Sequence, residues 1–304
     1  MGALMARPAL WPGERAQGPG LPGSSDRPSA TLHWHRTCCP LPGDPAGPAG
    51  ARGRGRGPDH RHKGEDIVPN SFQKAMVIVA HPDDPEFFCG GTIARWAHEG
   101  VEVTYLICTR GDKGSADPTM TPERLAGIRE GEQQAAARVL GVARVVFLDY
   151  RDGELEPSLR LRGDIVRQVR RYKPQVVVTP DPTTRFSRGL YPNHADHRVV
   201  GDVALDALFP AAGSRLYYPE QLAEGLEPHR VSEAYLCVTN EPDTWVDTTD
   251  FIDLKIAALR CHATQISDPA ALEKRIRENV DPRQAAPNAP RRYAEGFRRI
   301  VVYR

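Results

Sequence analysis

The sequence MVIVAHPDDPEFFCGGTIARW at residues 76–96 holds the features that decide the fold. Its apolar start has the length and composition of a buried strand. The strand ends at His81, and two carboxylates, Asp83 and Asp84, follow within three residues. The pair Gly90-Gly91 then precedes a helical pattern. Because buried imidazole and carboxylate groups are costly without a partner, the stretch predicts one half of a divalent metal site at the end of a strand.

Short apolar runs alternate with amphipathic helical patterns along most of the remaining chain. This alternation is typical of βαβ units, so the sequence predicts an α/β, Rossmann-like three-layer fold with a mainly parallel sheet. Thr121 is the predicted N-cap of the second helix. The predicted strands are 77–80, 101–108, 144–148, 175–179, 216–218 and 234–238. The predicted helices are 92–99, 122–140, 159–172, 196–209, 251–264 and 269–279, and a last element, Tyr293 to Val302, closes the chain.

The first 69 residues differ in composition from the rest. They hold 11 prolines and 12 glycines, and their few apolar residues show no period. Such a segment cannot bury enough surface to offset the entropy of ordering, so residues 1–69 are predicted to be a disordered tail. Residues 70–304 are predicted to form one domain. The sequence ARGRGRG at 51–57 leaves weak RNA binding open, beside the plainer interpretation of a GC-rich tail or an upstream start codon.

Bulk composition argues against several classes of protein. Forty Lys and Arg residues balance 39 Asp and Glu residues, so charge gives no indication of nucleic-acid or anionic-membrane binding. The six cysteines show no CxxC spacing, which is typical of reduced thiols. No apolar run reaches the roughly 18 residues of a membrane helix, and the N-terminus lacks the apolar core of a signal peptide. The sequence therefore predicts a cytoplasmic protein with no membrane span.

A second polar cluster, YPNHADH at residues 191–197, follows the predicted strand 175–179. Ligands bind outside the carboxyl ends of parallel strands, so this cluster and the His81 cluster are expected to converge. Three nitrogen or oxygen ligands and an open position form the usual catalytic zinc site, where the pKa of water falls to about 7. A carboxylate left over beside the metal could take the proton of the water. A left-over imidazole could polarise a carbonyl or protonate a leaving group.

These motifs, in this order, resemble the PIG-L/LmbE superfamily, whose members are zinc hydrolases that remove acetyl groups from N-acetylglucosaminyl compounds. The resemblance covers about residues 75–300, and it rests first on AHPDDPEFFCGGTIARW at 80–96 and HADH at 194–197. Further family-like stretches are TRGDKG at 109–114, the R-x-x-E pair Arg129 and Glu132, YRDGEL at 150–155, HATQ at 262–265 and AEGF at 294–297.

The resemblance implies a role for each matching residue. The implied ligands of Zn²⁺, or of another divalent ion such as Fe²⁺, are His81, Asp84 and His197. Asp83 would be the general base, and His194 would be the electrophilic or acid partner of the tetrahedral intermediate. Arg129 and Asp152 would hold sugar hydroxyls or a polar aglycone.

Other features of the two clusters have more than one interpretation. Asp196 could orient an imidazole or cap the helix that follows. The pair Gly90-Gly91 lacks the context of a phosphate loop, so it is expected to allow close packing of a helix on the sheet. HADH carries Ala195 where the family often has proline, and this difference should alter loop stiffness rather than ligation.

The sequence thus predicts a metal-dependent hydrolase that deacetylates an N-acetylglucosamine-containing small molecule by zinc-activated water. Its expected partner is that N-acetylated amino sugar, with no nucleic acid, and a homo-oligomer is left open. One alternative is an amidase that cleaves a larger acyl group from a thiol-sugar conjugate. Another is a non-catalytic sugar- or nucleotide-binding module, which would need no open metal site.

Overall fold

The computed structural model describes residues 72–284 and 289–303, so the predicted tail, residues 1–69, lies outside the described residues. The strands are β1 (Lys74–Val79), β2 (Glu102–Thr109), β3 (Arg144–Tyr150), β4 (Val176–Pro180), β5 (Phe186–Ser187), β6 (Tyr191–Pro192), β7 (Glu233–Cys237), β8 (Thr244–Asp247) and β9 (Ala294–Val301). The helices are α1 (Asp84–His98), α2 (Pro122–Val139), α3 (Leu159–Tyr172), α4 (Ala195–Asp206), α5 (Glu220–Ala223), α6 (Ile252–Arg260) and α7 (Pro269–Glu278). A π-helical turn, Ala207–Ala211, continues α4, and a 3-10 turn, Thr249–Phe251, precedes α6.

The main sheet has the strand order β3-β2-β1-β4-β7-β9-β8. The strands β1, β2, β3, β4 and β7 are parallel to one another, whereas β9 is antiparallel to both of its neighbours. Within this order β1 lies between β2 and β4, so β2 and β3 extend the sheet on one side of β1, and the chain then crosses to add β4 and β7 on the other side. Loops diverge at such a point and leave a crevice at the carboxyl ends of the strands. The two polar clusters follow β1 and β4, the two strands that flank this crevice.

Alternate residues of β1 enter two separate hydrophobic cores. Val77 and Val79 pack in one core with Trp96 of α1, and Met76 and Ile78 pack in the other with residues of α3 and α4. A strand that is buried on both faces is continuously apolar, which explains the apolar run MVIVA at residues 76–80. The predicted three-layer fold with a mainly parallel sheet is confirmed.

Among residues 72–284 and 289–303, no helix is long and apolar enough to cross a bilayer.

Local signals predicted α2 and α3 closely. The predicted helix 159–172 matches α3 at both ends. The helix α2 starts after Thr121, whose hydroxyl accepts a hydrogen bond from the Arg124 N–H at 3.2 Å, as a capping residue does. The sequence pattern failed to predict β8, and the predicted start of the first helix at residue 92 is eight residues late.

The predicted strand 216–218 is wrong, because these residues form turns and bends. Leu216 is 89% exposed, so the apolar run does not indicate burial here. The buried guanidinium of Arg170 donates to the carbonyls of Tyr217 and Tyr218 at 2.8 and 3.3 Å and to the carbonyl of Ser214 at 2.7 Å. Carbonyls that converge on one cation cannot pair with a neighbouring strand, so this segment is held as a loop.

The helix α1 is interrupted at Cys89, whose φ of −147° and ψ of 23° are not helical. The helix restarts there, and the Gly91 and Thr92 N–H groups donate to the Glu295 carboxylate at 3.0 and 2.7 Å. Lys255 of α6 pairs with the same carboxylate at 2.6 Å. A Cβ on Gly91 would lie 2.7 Å from the side chain of Thr248. The two glycines therefore permit close packing, and their neighbours are Thr248 and Lys255 rather than the sheet.

Candidate active site

The turn between β1 and α1 holds Asp83 in an unusual backbone conformation. Its φ is 85° and its ψ is −27°, in the left-handed region that residues other than glycine rarely adopt. The Asp83 N–H donates to Gln133 Oε1 at 2.9 Å, and Arg129 Nη2 lies 3.1 Å from Asp83 Oδ2. Such conformations persist where surrounding contacts hold them, and they cluster at functional sites.

Asp84, the first residue of α1, joins the two predicted clusters. Its Oδ1 lies 3.1 Å from His197 Nε2, and its Oδ2 lies 3.3 Å from His81 Nδ1. The His81 N–H also donates to Asp84 Oδ2 at 2.8 Å, which fixes the carboxylate in the turn. The ring of His194 lies 4.7 Å from that of His81 and 5.3 Å from that of His197 between centroids. The structure thus brings the residues after β1 together with those at the start of α4.

The other ring nitrogen of His81 faces two carboxylates. His81 Nε2 lies 3.1 Å from Asp152 Oδ1 and 3.2 Å from Asp196 Oδ2, and the Gly153 N–H donates to Asp196 Oδ2 at 2.7 Å. A histidine that donates Nε2–H to a carboxylate presents the lone pair of Nδ1, which is the usual arrangement of a metal-binding imidazole. Asp196 therefore orients an imidazole. The side chain that caps α4 is His194, whose Nδ1 accepts from the Asp196 N–H at 3.2 Å.

The carboxylates dominate the electrostatics of the site. Burial opposes protonation of His81, but Asp84, Asp152 and Asp196 outweigh it and raise the pKa of this imidazole well above its usual range. Burial likewise opposes ionisation of Asp84, yet His197 and His81 hold its pKa well below the usual range. The same negative field that favours a proton on His81 also favours a cation in its place.

His194 differs from the other two histidines. Burial, followed by the neighbouring His81 and His197, lowers the pKa of His194 to about 4. This side chain is therefore a neutral imidazole near pH 7. Since Nδ1 accepts a hydrogen bond, its proton resides on Nε2, and Nε2–H remains as a donor.

The donor groups fit a divalent metal ion. His81 Nδ1 is buried and makes no hydrogen bond within the described part of the chain, although it faces Asp84. The ligand atoms of His81, His194 and His197 lie within 4.8 Å of one another. The ligand atoms of a second group, His81 with Asp152 and Asp196, lie equally close, and both carboxylates face His81 Nε2. Imidazole nitrogens with a carboxylate suit Zn²⁺ and Fe²⁺.

The two residues predicted to bind the substrate both lie beneath the crevice. Arg129 is 0% exposed, and besides contacting Asp83 it donates to the carbonyls of Pro82 and Gly111 at 2.6 and 3.0 Å. Asp152 is 2% exposed, with Oδ1 against His81. Arg129 thus supports the turn at Pro82 and Asp83, and Asp152 supports the His81 ring. Their predicted contact with sugar hydroxyls stays a prediction.

Two amides that the sequence did not indicate hold predicted site residues in place. Asn193 Oδ1 lies 3.0 Å from His197 Nδ1, and Asn193 Nδ2 donates to the Thr184 carbonyl at 2.8 Å, so that His197 Nε2 faces Asp84. Gln133 holds the Asp83 N–H. The one available signal for Gln133 was its place one helical turn after Arg129, on the same face of α2.

Comparison with known proteins places the chain in a family. A family model described as PIG-L, GlcNAc-PI de-N-acetylase, matches residues 76–208. The diacetylchitobiose deacetylase of Thermococcus kodakarensis is 33% identical over 199 residues, which are 66% of this chain and 72% of that relative. The 1D-myo-inositol 2-acetamido-2-deoxy-alpha-D-glucopyranoside deacetylase of Streptomyces avermitilis is 32% identical over 247 residues, with 64% of this chain and 83% of the relative covered.

A solved structure agrees with these relatives. The N,N'-diacetylchitobiose deacetylase from Pyrococcus horikoshii, complexed with its inhibitor, superposes with a TM-score of 0.68 at 33% identity. The match covers 76% of this chain and 85% of that one. The relatives confirm the resemblance that the two polar clusters indicate. The chain belongs to the PIG-L/LmbE superfamily.

Proposed function

We propose that this protein is a metal-dependent amide hydrolase that removes the acetyl group from an N-acetylglucosamine-containing small molecule. The observation that carries the proposal is the buried His81 Nδ1, which lacks a hydrogen bond within the described residues and faces Asp84 beside His197. The relatives support the substrate class, because they are named as deacetylases of diacetylchitobiose and of a 2-acetamido-glucopyranosyl inositol. The proposal includes the predicted cytoplasmic location.

We assign the metal to His81, Asp84 and His197, with Zn²⁺ as the ion and Fe²⁺ as the alternative. When bound there, the ion supplies the Lewis acid that makes a water nucleophilic near neutral pH. Asp196 keeps the proton of His81 on Nε2, and Asn193 turns His197 so that Nε2 faces Asp84. These contacts position the ligands before an ion arrives, so little reorganisation accompanies binding.

Asp83 is the proposed general base. Its carboxylate is adjacent in sequence to the ligand Asp84, and Arg129 Nη2 lies 3.1 Å from Asp83 Oδ2. It takes a proton from the water while the water oxygen forms a bond to the acetamide carbon. The C–N bond then breaks, acetate leaves, and the proton held by Asp83 returns to the departing amine.

His194 is the proposed electrophilic partner. Its ring is edge-to-face with His81 and beside His197, and its neutral Nε2–H is the available donor. We assign this donor to the oxygen that becomes negative as the acetamide carbonyl is attacked. A fixed donor aimed at developing charge in a buried site typically contributes about 10²–10³-fold to kcat.

The test is acetate release from a panel of N-acetylglucosaminyl compounds, including diacetylchitobiose and an N-acetylglucosaminyl inositol. We expect at least one compound to be deacetylated, the activity to vanish with a chelator, and Zn²⁺ or Fe²⁺ to restore it. No acetate from any compound, with no metal bound on titration, would contradict the proposal and favour a binding module. Faster cleavage of a larger acyl group on a paired substrate would favour the amidase.

A further inference from the structure

A buried polar network outside the proposed metal ligands links three parts of the chain. Glu86 lies on α1, Gln133 lies on α2, and His262 lies just after α6, and all three side chains are fully buried. Gln133 Nε2 donates to the two carboxylate oxygens of Glu86 at 2.9 and 3.1 Å. His262 Nε2 lies 3.0 Å from Glu86 Oε2. The proposed reaction uses none of these groups.

The network fixes which way the Gln133 amide points. The Asp83 N–H can only donate, so the amide oxygen of Gln133 must face it, and the NH₂ group of Gln133 then faces Glu86. Gln133 Oε1 is thereby directed at the Asp83 N–H, 2.9 Å away. A flipped amide would place a donor against the Asp83 N–H and an oxygen against the carboxylate. His262 and Gln133 therefore donate hydrogen bonds to Glu86, and the Asp83 N–H donates to Gln133.

The residue at the end of this chain of hydrogen bonds is the one with the strained backbone. Asp83 has a φ of 85°, and a non-glycine residue keeps such a conformation only where its surroundings hold it. Arg129 holds the Asp83 side chain, and Gln133 holds its N–H. Removal of the Gln133 acceptor would take this hydrogen bond from a buried N–H, and the turn could then relax.

We propose that Gln133, fixed by Glu86 and His262, is a positioning residue that holds the backbone of Asp83 so that its carboxylate meets the attacking water. The inference rests on the proposed role of Asp83 as base. It adds the C-terminal part of the chain to the catalytic apparatus, because His262 contributes a hydrogen bond to Glu86 from beyond α6. A small displacement of a reacting group can cost about 10²-fold in rate, so a modest shift of this turn would be visible in kcat.

The test exchanges the side chains of Glu86 and Gln133. In Gln133→Glu, two carboxylates face each other, and in Glu86→Gln, one acceptor oxygen is lost. The double variant Glu86→Gln/Gln133→Glu again places a donor against an acceptor between positions 86 and 133. The carboxylate introduced at position 133 accepts both the Asp83 N–H and the NH₂ group introduced at position 86, and the new amide oxygen accepts from His262. We expect each single variant to lower kcat by about 10–100-fold, and the double variant to return it to within about threefold of wild type.

Three further readouts separate positioning from general damage. KM and Zn²⁺ affinity should stay within about threefold of wild type in all variants. Exchange of the Asp83 amide hydrogen, followed by NMR in the metal-free protein, should accelerate at least about tenfold in the single variants and recover in the double variant. The matched control is Glu132→Gln, since Glu132 also lies on α2 and binds the same C-terminal turn through the Thr264 N–H, outside the buried polar network.

The proposal is overturned if the single variants keep wild-type kcat and Asp83 exchange, if the double variant is no better than either single one, or if Glu132→Gln lowers kcat equally. Failure of the proposed function is a different result. In that case no variant, wild type included, releases acetate, and the exchange of the Asp83 amide still decides whether Gln133 holds the turn.

Discussion

Arg129 Nη2 lies 3.1 Å from Asp83 Oδ2, and both side chains are buried beneath the crevice at the carboxyl ends of β1 and β4. The same guanidinium nitrogen donates to the Pro82 carbonyl at 2.6 Å. One cation therefore holds both the carboxylate of the proposed base and the backbone just before it. This contact indicates that Arg129 supports Asp83, and the predicted contact of Arg129 with a sugar stays a prediction.

Arg129→Lys separates these two roles. Lysine keeps the charge but cannot donate to Asp83 and the Gly111 carbonyl in the same planar geometry. If Arg129 supports Asp83, kcat falls by about 10–100-fold while KM changes little. If Arg129 binds the sugar, KM rises instead. Steady-state kinetics on the best substrate decide between the two, with Arg124→Lys, at an exposed position of the same helix, as the control.

Asp196→Asn should weaken metal binding. Asp196 Oδ2 lies 3.2 Å from His81 Nε2 and accepts from the Gly153 N–H, so the substitution disturbs the acceptor that sets the tautomer of His81. Loss of such a partner typically costs about 10–100-fold in metal affinity. Competition with a chromogenic chelator measures the change. Asp202→Asn, on an exposed face of α4, should leave affinity unchanged, and an equal loss in both variants would refute the role of Asp196.

Gly201→Ala should disturb the fold and the site together. A Cβ on Gly201 would lie 2.1 Å from the Pro180 carbonyl oxygen at the end of β4, so α4 has to move. Forced overpacking of this kind costs about 1–3 kcal/mol of unfolding free energy. Because α4 begins with the histidine cluster, Zn²⁺ affinity should fall as well.

The matched control is Gly127→Ala on α2, where an added Cβ has no neighbour within 4 Å. Alanine in place of a helical glycine with open space should raise stability by about 0.4–1 kcal/mol. Urea denaturation measures both variants. Equal stability of the two would contradict the close contact between α4 and β4.

The buried pair of Lys255 and Glu295 should stabilise the fold through α1. Glu295 accepts the N–H groups where α1 restarts, and Lys255 neutralises it at 2.6 Å. Lys255→Met leaves a buried carboxylate without its cation, which typically costs about 3–5 kcal/mol. Urea denaturation should show this loss. A change below about 1 kcal/mol would show that the pair contributes little.

Local patterns predicted the elements whose signals lie within a few residues. The apolar run of β1, the Thr121 cap and the amphipathic α3 are signals of this kind, and strand topology then explains why the clusters after β1 and β4 converge. The proposed roles of Asp83 and His194 come from the resemblance to the family, because spacing alone left them open.

Contacts between distant residues escaped prediction. Glu86 and Gln133 are 47 positions apart, and His81 and Asp196 are 115 apart, so only the folded chain shows that they are partners. The false strand at 216–218 has the same origin, since Arg170 reaches it from α3. The sequence pattern did not show that α1 begins at Asp84, because the helix is interrupted at Cys89, just before the two glycines.

Asp83→Ala removes the proposed base and leaves the three proposed metal ligands unchanged. Zn²⁺ content and acetate release from the best N-acetylglucosaminyl substrate are measured on the variant and the wild type in parallel. We expect the variant to retain about one equivalent of Zn²⁺, as a site with intact ligands should, and to lose at least about 10²-fold in kcat. A variant that binds Zn²⁺ and releases acetate at the wild-type rate would contradict the assignment of Asp83 as the base.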